Sequence, residues 1–286
     1  MEATETRFER SFRNHRRNIW ARNAGGVLIV AVVFLWSADV SKFTLPRIVQ
    51  ALPRMGGFIG NTIPQLRLSS FFLDMAYWYY DFPNWLSLLT DTFLMAISAT
   101  IVGGVLALLL SFLASRNITA HHWAAFVVRR AAEVTRTVPE VVFALVFVVA
   151  FGVGPTAGFL AITIHSFGAL LKLYSELHED IEIVQLEGLQ AAGANWMQSM
   201  RFGVFPQVLP GIITYTLWRI ELNIRSAAII GFVGAGGIGQ ELYKAISLGF
   251  HEDISAIVVM IVITVMCIDI ACEKLRHSII GKENLI

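Results

Sequence analysis

Charge is scarce in this chain: of 286 residues, 15% are Asp, Glu, Lys or Arg, against roughly 25% in soluble globular domains. Cysteine is nearly absent. Cys267 and Cys272 lie five residues apart in one apolar block. On a helix they face different ways, so neither a disulfide nor a metal pair is expected. The seven histidines (15, 121, 122, 165, 178, 251 and 277) contain no His-x-x-x-His pair, which removes the usual zinc spacing. Gly-x-x-x-x-Gly-Lys-Ser/Thr does not occur, so any ATP hydrolysis must belong to another chain. No nucleophile–base–acid constellation stands out. No catalytic residue, bound cofactor or metal is therefore expected here. A net charge of +1 gives no reason to expect a nucleic-acid partner.

What the chain has in quantity is apolar surface. It is 56% hydrophobic with a mean hydropathy of +0.63. The apolar residues come in long blocks rather than at amphipathic spacing, which points to an all-α membrane protein. Residues 1–23 carry Arg7, Arg10, Arg13, Arg16, Arg17 and Arg22, and an apolar run follows from Ala24 to Val40. This reads as a cytoplasmic N-terminal segment and an uncleaved first span, because no small-residue cleavage site follows. In the loop up to residue 84, Ile48, Leu52, Met55 and Ile59 fall at helical spacing with Arg47 and Arg54 elsewhere on the wheel. That spacing suggests an amphipathic helix on the outer surface. An aromatic belt, Phe71, Phe72, Tyr77, Trp78, Tyr79 and Tyr80, follows.

Further spans are expected at Leu88–Ala114, from a helix start at Thr137 to about Phe151, at Thr156–Leu173, at Gly211–Asn223 with a glycine-rich continuation, and at Ile254–Cys272. Thr137 and Glu140, with Pro139 between them, read as a capping box opening the third span. Spans three and four are short for a ~30 Å core, so a re-entrant hairpin is the alternative to two crossings. With the N-terminus inside, fifteen Lys and Arg fall on the inner side and seven on the outer side. That asymmetry places both termini, and the stretch 174–210, in the cytoplasm. The expected organisation is 1–23, then 24–84, a core domain 85–273 carrying the loop 174–210, and a tail 274–286.

Within that loop, Glu187-Gly188-Leu189-Gln190-Ala191-Ala192-Gly193 is followed by an apolar-aromatic patch and Pro206-Gln-Val-Leu-Pro210. Physically this is a short helix stopped at Gly193, with two prolines breaking the chain before the next span. Such a helix fits a groove on a soluble partner. The spacing of Glu187, Gly193, Pro206 and Pro210 resembles the "EAA" loop of binding-protein-dependent ABC importer permeases. The departure is at Gly188 and Leu189, where that family often has two alanines. Arg136-Thr-Val-Pro139-Glu140, Gly152-Val-Gly154-Pro155 and Glu221 to Gly239 are similar to the phosphonate permease branch, over most of the chain from about Leu86 onward. The resemblance implies a type I importer permease fold in a bacterial inner membrane. It also implies a homodimer, a cytoplasmic ABC ATPase dimer carrying ATP and Mg, and an extracytoplasmic phosphonate-binding protein. Transport of a phosphonate, phosphite or phosphate by alternating access is the implied activity.

Pathway candidates are Arg219, Glu221, Asn223, Arg225 and Ser226 on span five, with Gly234, Gly236, Gly237 and Gly239 after it. Glu221 and Arg225 are i,i+4 neighbours and read as an internal ion pair, leaving Arg219 as surplus charge that either lines the path or snorkels outward. Gly234-x-Gly236-x-x-Gly239 also fits a dinucleotide fingerprint, but a span-length apolar block follows where a second βα unit would be needed. An ion-coupled secondary carrier is the alternative from another class. It would hold an intramembrane acid for its coupling ion and often a repeated half.

Overall fold

The computed structural model describes residues 2–119 and 122–283, with side chains from 11 to 278 within them. The expected terminal segments extend beyond this to Met1 and to 284–286. All regular structure among the described residues is helical. In chain order the elements are α1 (Glu2–Val40), α2 (Leu45–Thr62), α3 (Phe71–Trp78), α4 (Phe82–Ala114), α5 (His122–Thr137), α6 (Glu140–Phe151), α7 (Pro155–Glu179), α8 (Ile183–Ala191), α9 (Trp196–Ser199), α10 (Phe205–Ile230), α11 (Ile238–Leu248) and α12 (His251–Glu283). Four helices are long and apolar enough to cross a membrane by themselves, and up to six cross if the bent pairs α5–α6 and α9/α10–α11 each count as one.

The chain divides into two units, 1–61 and 62–286. The first contains α1 and nearly all of α2. Helix α1 runs unbroken past Asn23, and its apolar stretch Val27–Trp36 is exposed, as a lipid-facing span requires. Helix α2 forms where the Ile48, Leu52, Met55 and Ile59 stripe predicts it, and buries no residue.

In the second unit the core is built around α7, which lies against α4 and α5. Small residues let the backbones meet, the usual membrane substitute for a hydrophobic driving force. A Cβ on Gly103 of α4 would stand 2.7 Å from the Thr163 carbonyl oxygen, and one on Gly168 would stand 2.7 Å from that of Ala132. Gly103→Val therefore has to push two helices apart. Overpacking of this kind costs roughly 1–3 kcal/mol, and a clear fall in the unfolding temperature of the detergent-purified chain is expected.

Several elements differ from the sequence reading. Helix α5 continues through Thr137, whose Oγ1 donates to the Glu133 carbonyl, so Thr137 caps nothing. Pro139 bars its predecessor from helical geometry. The chain turns by 86° into α6, whose N-cap makes no side-chain bond. The fourth span is longer than expected, reaching Glu179. The fifth is one helix from Phe205 to Ile230. Pro206 sits in its first turn and Pro210 lies inside it rather than breaking it. A π-helical stretch, Met200–Val204, joins α9 to α10 without interruption, so register is adjusted there instead of by a break. Both cysteines are free.

Candidate functional site

Two places in the second unit carry the features a transporter needs. The first is the segment from α8 to α10. Helix α8 ends in a Schellman closure: the Ala194 N–H donates to the Leu189 carbonyl at 3.0 Å and the Gly193 N–H to that of Gln190 at 2.9 Å. That closure needs Gly193 at φ +87°, the left-handed region where a side chain is strained. Asn195 then opens α9 through a reciprocal capping box with Gln198. Leu186 is the buried anchor of α8. Glu187, Gly188, Gln190, Ala191, Ala192 and Gly193 stay exposed, and Leu189 is half-buried with its side chain against Gly203. The exposed apolar side chains Ile183, Val184, Trp196, Met197 and Phe202 lie on the same segment.

This surface is fastened to the bundle. The Trp196 indole N–H donates to the Ile118 carbonyl just beyond α4 at 3.1 Å, and the Gln207 side chain on α10 accepts from the Glu182 N–H at 3.0 Å. From the middle of α5, Arg129 ties the C-terminal ends of α4 and α7 together through the Ala114 carbonyl and the Glu179 carboxylate. The helix α9, the π-helical stretch and α10 follow one another without a break.

The second place is halfway along α10. Arg219 and Asn223 are one turn apart and face α4, α6 and α7. The Arg219 Nη2 donates to Glu140 Oε1 at 2.8 Å, with side chains only 9% and 12% exposed. Its Nε donates to Ser166 Oγ at 3.3 Å. The Asn223 Nδ2 reaches Ser166 Oγ at 2.7 Å and Thr100 Oγ1 at 2.6 Å. His165 Nδ1 stands 3.1 Å from the same Glu140 oxygen, without the alignment of a well-formed hydrogen bond. Four helices thus meet in one polar knot inside an apolar bundle, an arrangement that marks function in membrane proteins.

The other half of the expected pathway set points elsewhere. Glu221 and Arg225 lie about 200° and 240° round the helix from Arg219 and meet α12. Arg276 holds Glu221 at 2.7 Å and Asp269 holds Arg225 at 2.6 Å. The expected Glu221–Arg225 pair is therefore replaced by two pairs between antiparallel helices. An i,i+4 pair is worth only about 0.2–0.5 kcal/mol, so better-placed partners on α12 prevail. Nor is Arg219 surplus, because Glu140 neutralises it. The sequence reading took Glu140 for a helix cap and missed it as a site residue. An acid opening an apolar run was the available signal, since such an acid needs a cation.

Ser226 is half-buried beyond Asn223, and the glycines after α10 make a tight joint. Gly234, Gly236 and Gly237 all have positive φ. The Gly154 N–H donates to the Gly234 carbonyl, and the Ile238 N–H to Thr92 Oγ1, both at 2.9 Å. A Cβ on Gly239 would lie 1.9 Å from the Ala228 carbonyl oxygen, so only glycine fits where the start of α11 packs against the end of α10.

Residues 107–273 match the model of the binding-protein-dependent transport system inner membrane component. The chain belongs to this family. That stretch contains the capped α8 and every member of the knot except Thr100. The chain is 32% identical over 258 residues to the phosphite transport system permease protein PtxC of Stutzerimonas stutzeri, covering 90% of each. It is 34% identical over 190 residues to the phosphate-import permease protein PhnE of Mycolicibacterium smegmatis, covering 66% of this chain and 36% of that one. Among solved structures, the MetNI methionine ABC transporter superposes with a TM-score of 0.60 at 21% identity, over 68% of this chain and 95% of that chain. At that identity the likeness is one of fold: the helical architecture of a type I importer permease. The chain is a permease of an ATP-driven importer, whose ATPase is a separate subunit. The carrier alternative is not favoured, and the buried acids Glu140 and Glu221 are each paired with an arginine, Arg219 and Arg276.

Proposed function

We propose that this permease moves a phosphorus oxyanion (a phosphonate, phosphite or phosphate) into the cytoplasm of a bacterium by alternating access. The observation that carries the substrate class is Arg219, a guanidinium buried among four helices. A bare anion crossing hydrocarbon needs such compensation, and relatives named for phosphite and phosphate transport agree with it.

Two copies of the chain form the translocation unit. A pair of ABC ATPases handles ATP and Mg, and an extracytoplasmic binding protein delivers the cargo. Each ATPase grips the exposed face of α8 at Glu187–Gly193. As the ATPases close, the two α8 helices move together, α9–α10 follows as a rod, and the knot is presented outward. The permease supplies two states of differing stability rather than chemistry.

Intact cells expressing the whole transporter should accumulate labelled phosphite or phosphonate, and cells lacking this chain should not. Equal accumulation in both would remove the substrate assignment. Orientation is tested separately. A cysteine at Gln198 is expected to resist impermeant thiol reagents in intact cells, and one at Arg67 to react. Labelling of the Gln198 position from outside would reverse the topology.

A further inference from the structure

Two members of the knot are short of a bond. Among the described residues, Glu140 Oε2 and Asn223 Oδ1 are buried without a hydrogen-bond partner, which is rare for interior acceptors. Two nitrogens, Arg219 Nη2 at 2.8 Å and His165 Nδ1 at 3.1 Å, converge on the single oxygen Glu140 Oε1, and only the arginine makes an aligned bond. A carboxylate serving only to lock the fold would be expected to use both oxygens. This one is held through one oxygen, and the His165 imidazole stands beside that same atom.

We infer that Glu140 is the resting counter-ion of Arg219, an internal stand-in for the cargo. An arriving oxyanion displaces it, and His165 receives the released carboxylate. The inference rests on the reading of Arg219 as the cargo's partner. Its physical logic is exchange. Guanidinium binds carboxylate and phosphorus oxyanions through the same fork of N–H donors. Swapping one anion for the other changes the free energy of the knot little, whereas an unopposed Arg219 would hold the oxyanion and block its release. A transporter needs binding that is strong enough to enter and weak enough to leave, as conduction does. The neighbours fit this role. Ser166 bridges Arg219 and Asn223, so the guanidinium keeps its place when its carboxylate partner leaves.

Competition has a measurable signature. If Glu140 occupies Arg219 nine-tenths of the time, the apparent affinity for an added oxyanion is about tenfold below its intrinsic value. The experiment uses the detergent-purified permease–ATPase complex without binding protein, titrated with labelled phosphite, together with uptake by the full reconstituted transporter. Glu140→Gln is expected to bind phosphite about tenfold more tightly and to transport it more slowly, because release is impaired. Glu140→Asp, whose shorter side chain loosens the hold on Arg219 but keeps the charge, is expected to bind with intermediate affinity at normal abundance. It decides the question if the Gln variant fails to insert. His165→Phe is expected to weaken phosphite binding and to slow uptake, the opposite sign in affinity to the Glu140 variants, since the displaced carboxylate loses its fallback partner.

Unchanged phosphite affinity in the Glu140 variants, with Arg219→Gln inactive in uptake, would overturn the stand-in role and leave Arg219 as the cargo's partner. Wild-type uptake by Arg219→Gln would instead overturn the reading beneath it.

Discussion

Gly193→Trp is expected to abolish uptake while the chain inserts into the membrane in normal amount. The left-handed conformation at φ +87° costs a non-glycine residue only about 1–2 kcal/mol, too little to unfold a domain stabilised by 5–15 kcal/mol. Among the described residues nothing lies within 4 Å of where a Cβ would be, so the new side chain starts out into open space. The loss of uptake is expected from a partner that closes on the end of α8. Affinity purification with the ATPase should show weaker association, or hydrolysis that continues without transport. Uptake at the parent rate would mean that α8 is not the coupling element. Glu187→Ala removes one exposed polar contact and should give a milder form of the same defect.

Arg219→Gln is expected to lower uptake roughly ten- to a hundredfold, the worth of a hydrogen bond to a charged group at about 1.5–3 kcal/mol, with docking of the binding protein unaffected. Breaking a buried pair by removing one member strands the other and costs 3–5 kcal/mol in known cases. Glu140 is the residue stranded here, so abundance must be measured beside uptake. The double variant Glu140→Gln, Arg219→Gln separates the two effects: both charges go, abundance should recover and uptake should not. Arg225→Gln touches the other side of α10, where its partner is Asp269 and both side chains are well exposed. Only a small change in abundance and uptake is expected from it, measured in the same blots and assays. A loss as large as that of Arg219→Gln would show that the α12 face carries the path.

The elements legible in the sequence are those encoded locally. Apolar blocks marked α1, α4, α7 and α12, helical spacing marked α2, and the Glu187-to-Pro210 spacing marked a capped helix at α8. The misread features all depend on residues brought together from afar. Glu140 and Arg219 are 79 positions apart, and Glu221 and Arg276 are 55 apart. Local rules then supplied the nearest plausible partner, a cap for Glu140 and Arg225 for Glu221. In each case a charged partner on another helix outbids the local one, because inside a bundle a charge left without a strong partner costs far more than a missing cap. The length of α10 was obscured for another reason. Proline reads as a breaker, yet Pro206 falls where its missing N–H is harmless, and the π-helical stretch before it adjusts the register.

The central claim is that this chain moves a phosphorus oxyanion only when driven by an ATPase through α8. It is tested most directly in liposomes holding the purified permease and its ATPase, with the binding protein and labelled phosphite outside and ATP sealed within. The account predicts accumulation that requires ATP and the binding protein, persists when proton and sodium gradients are collapsed, and disappears with Gly193→Trp. Accumulation driven by an ion gradient in the absence of ATP would contradict it.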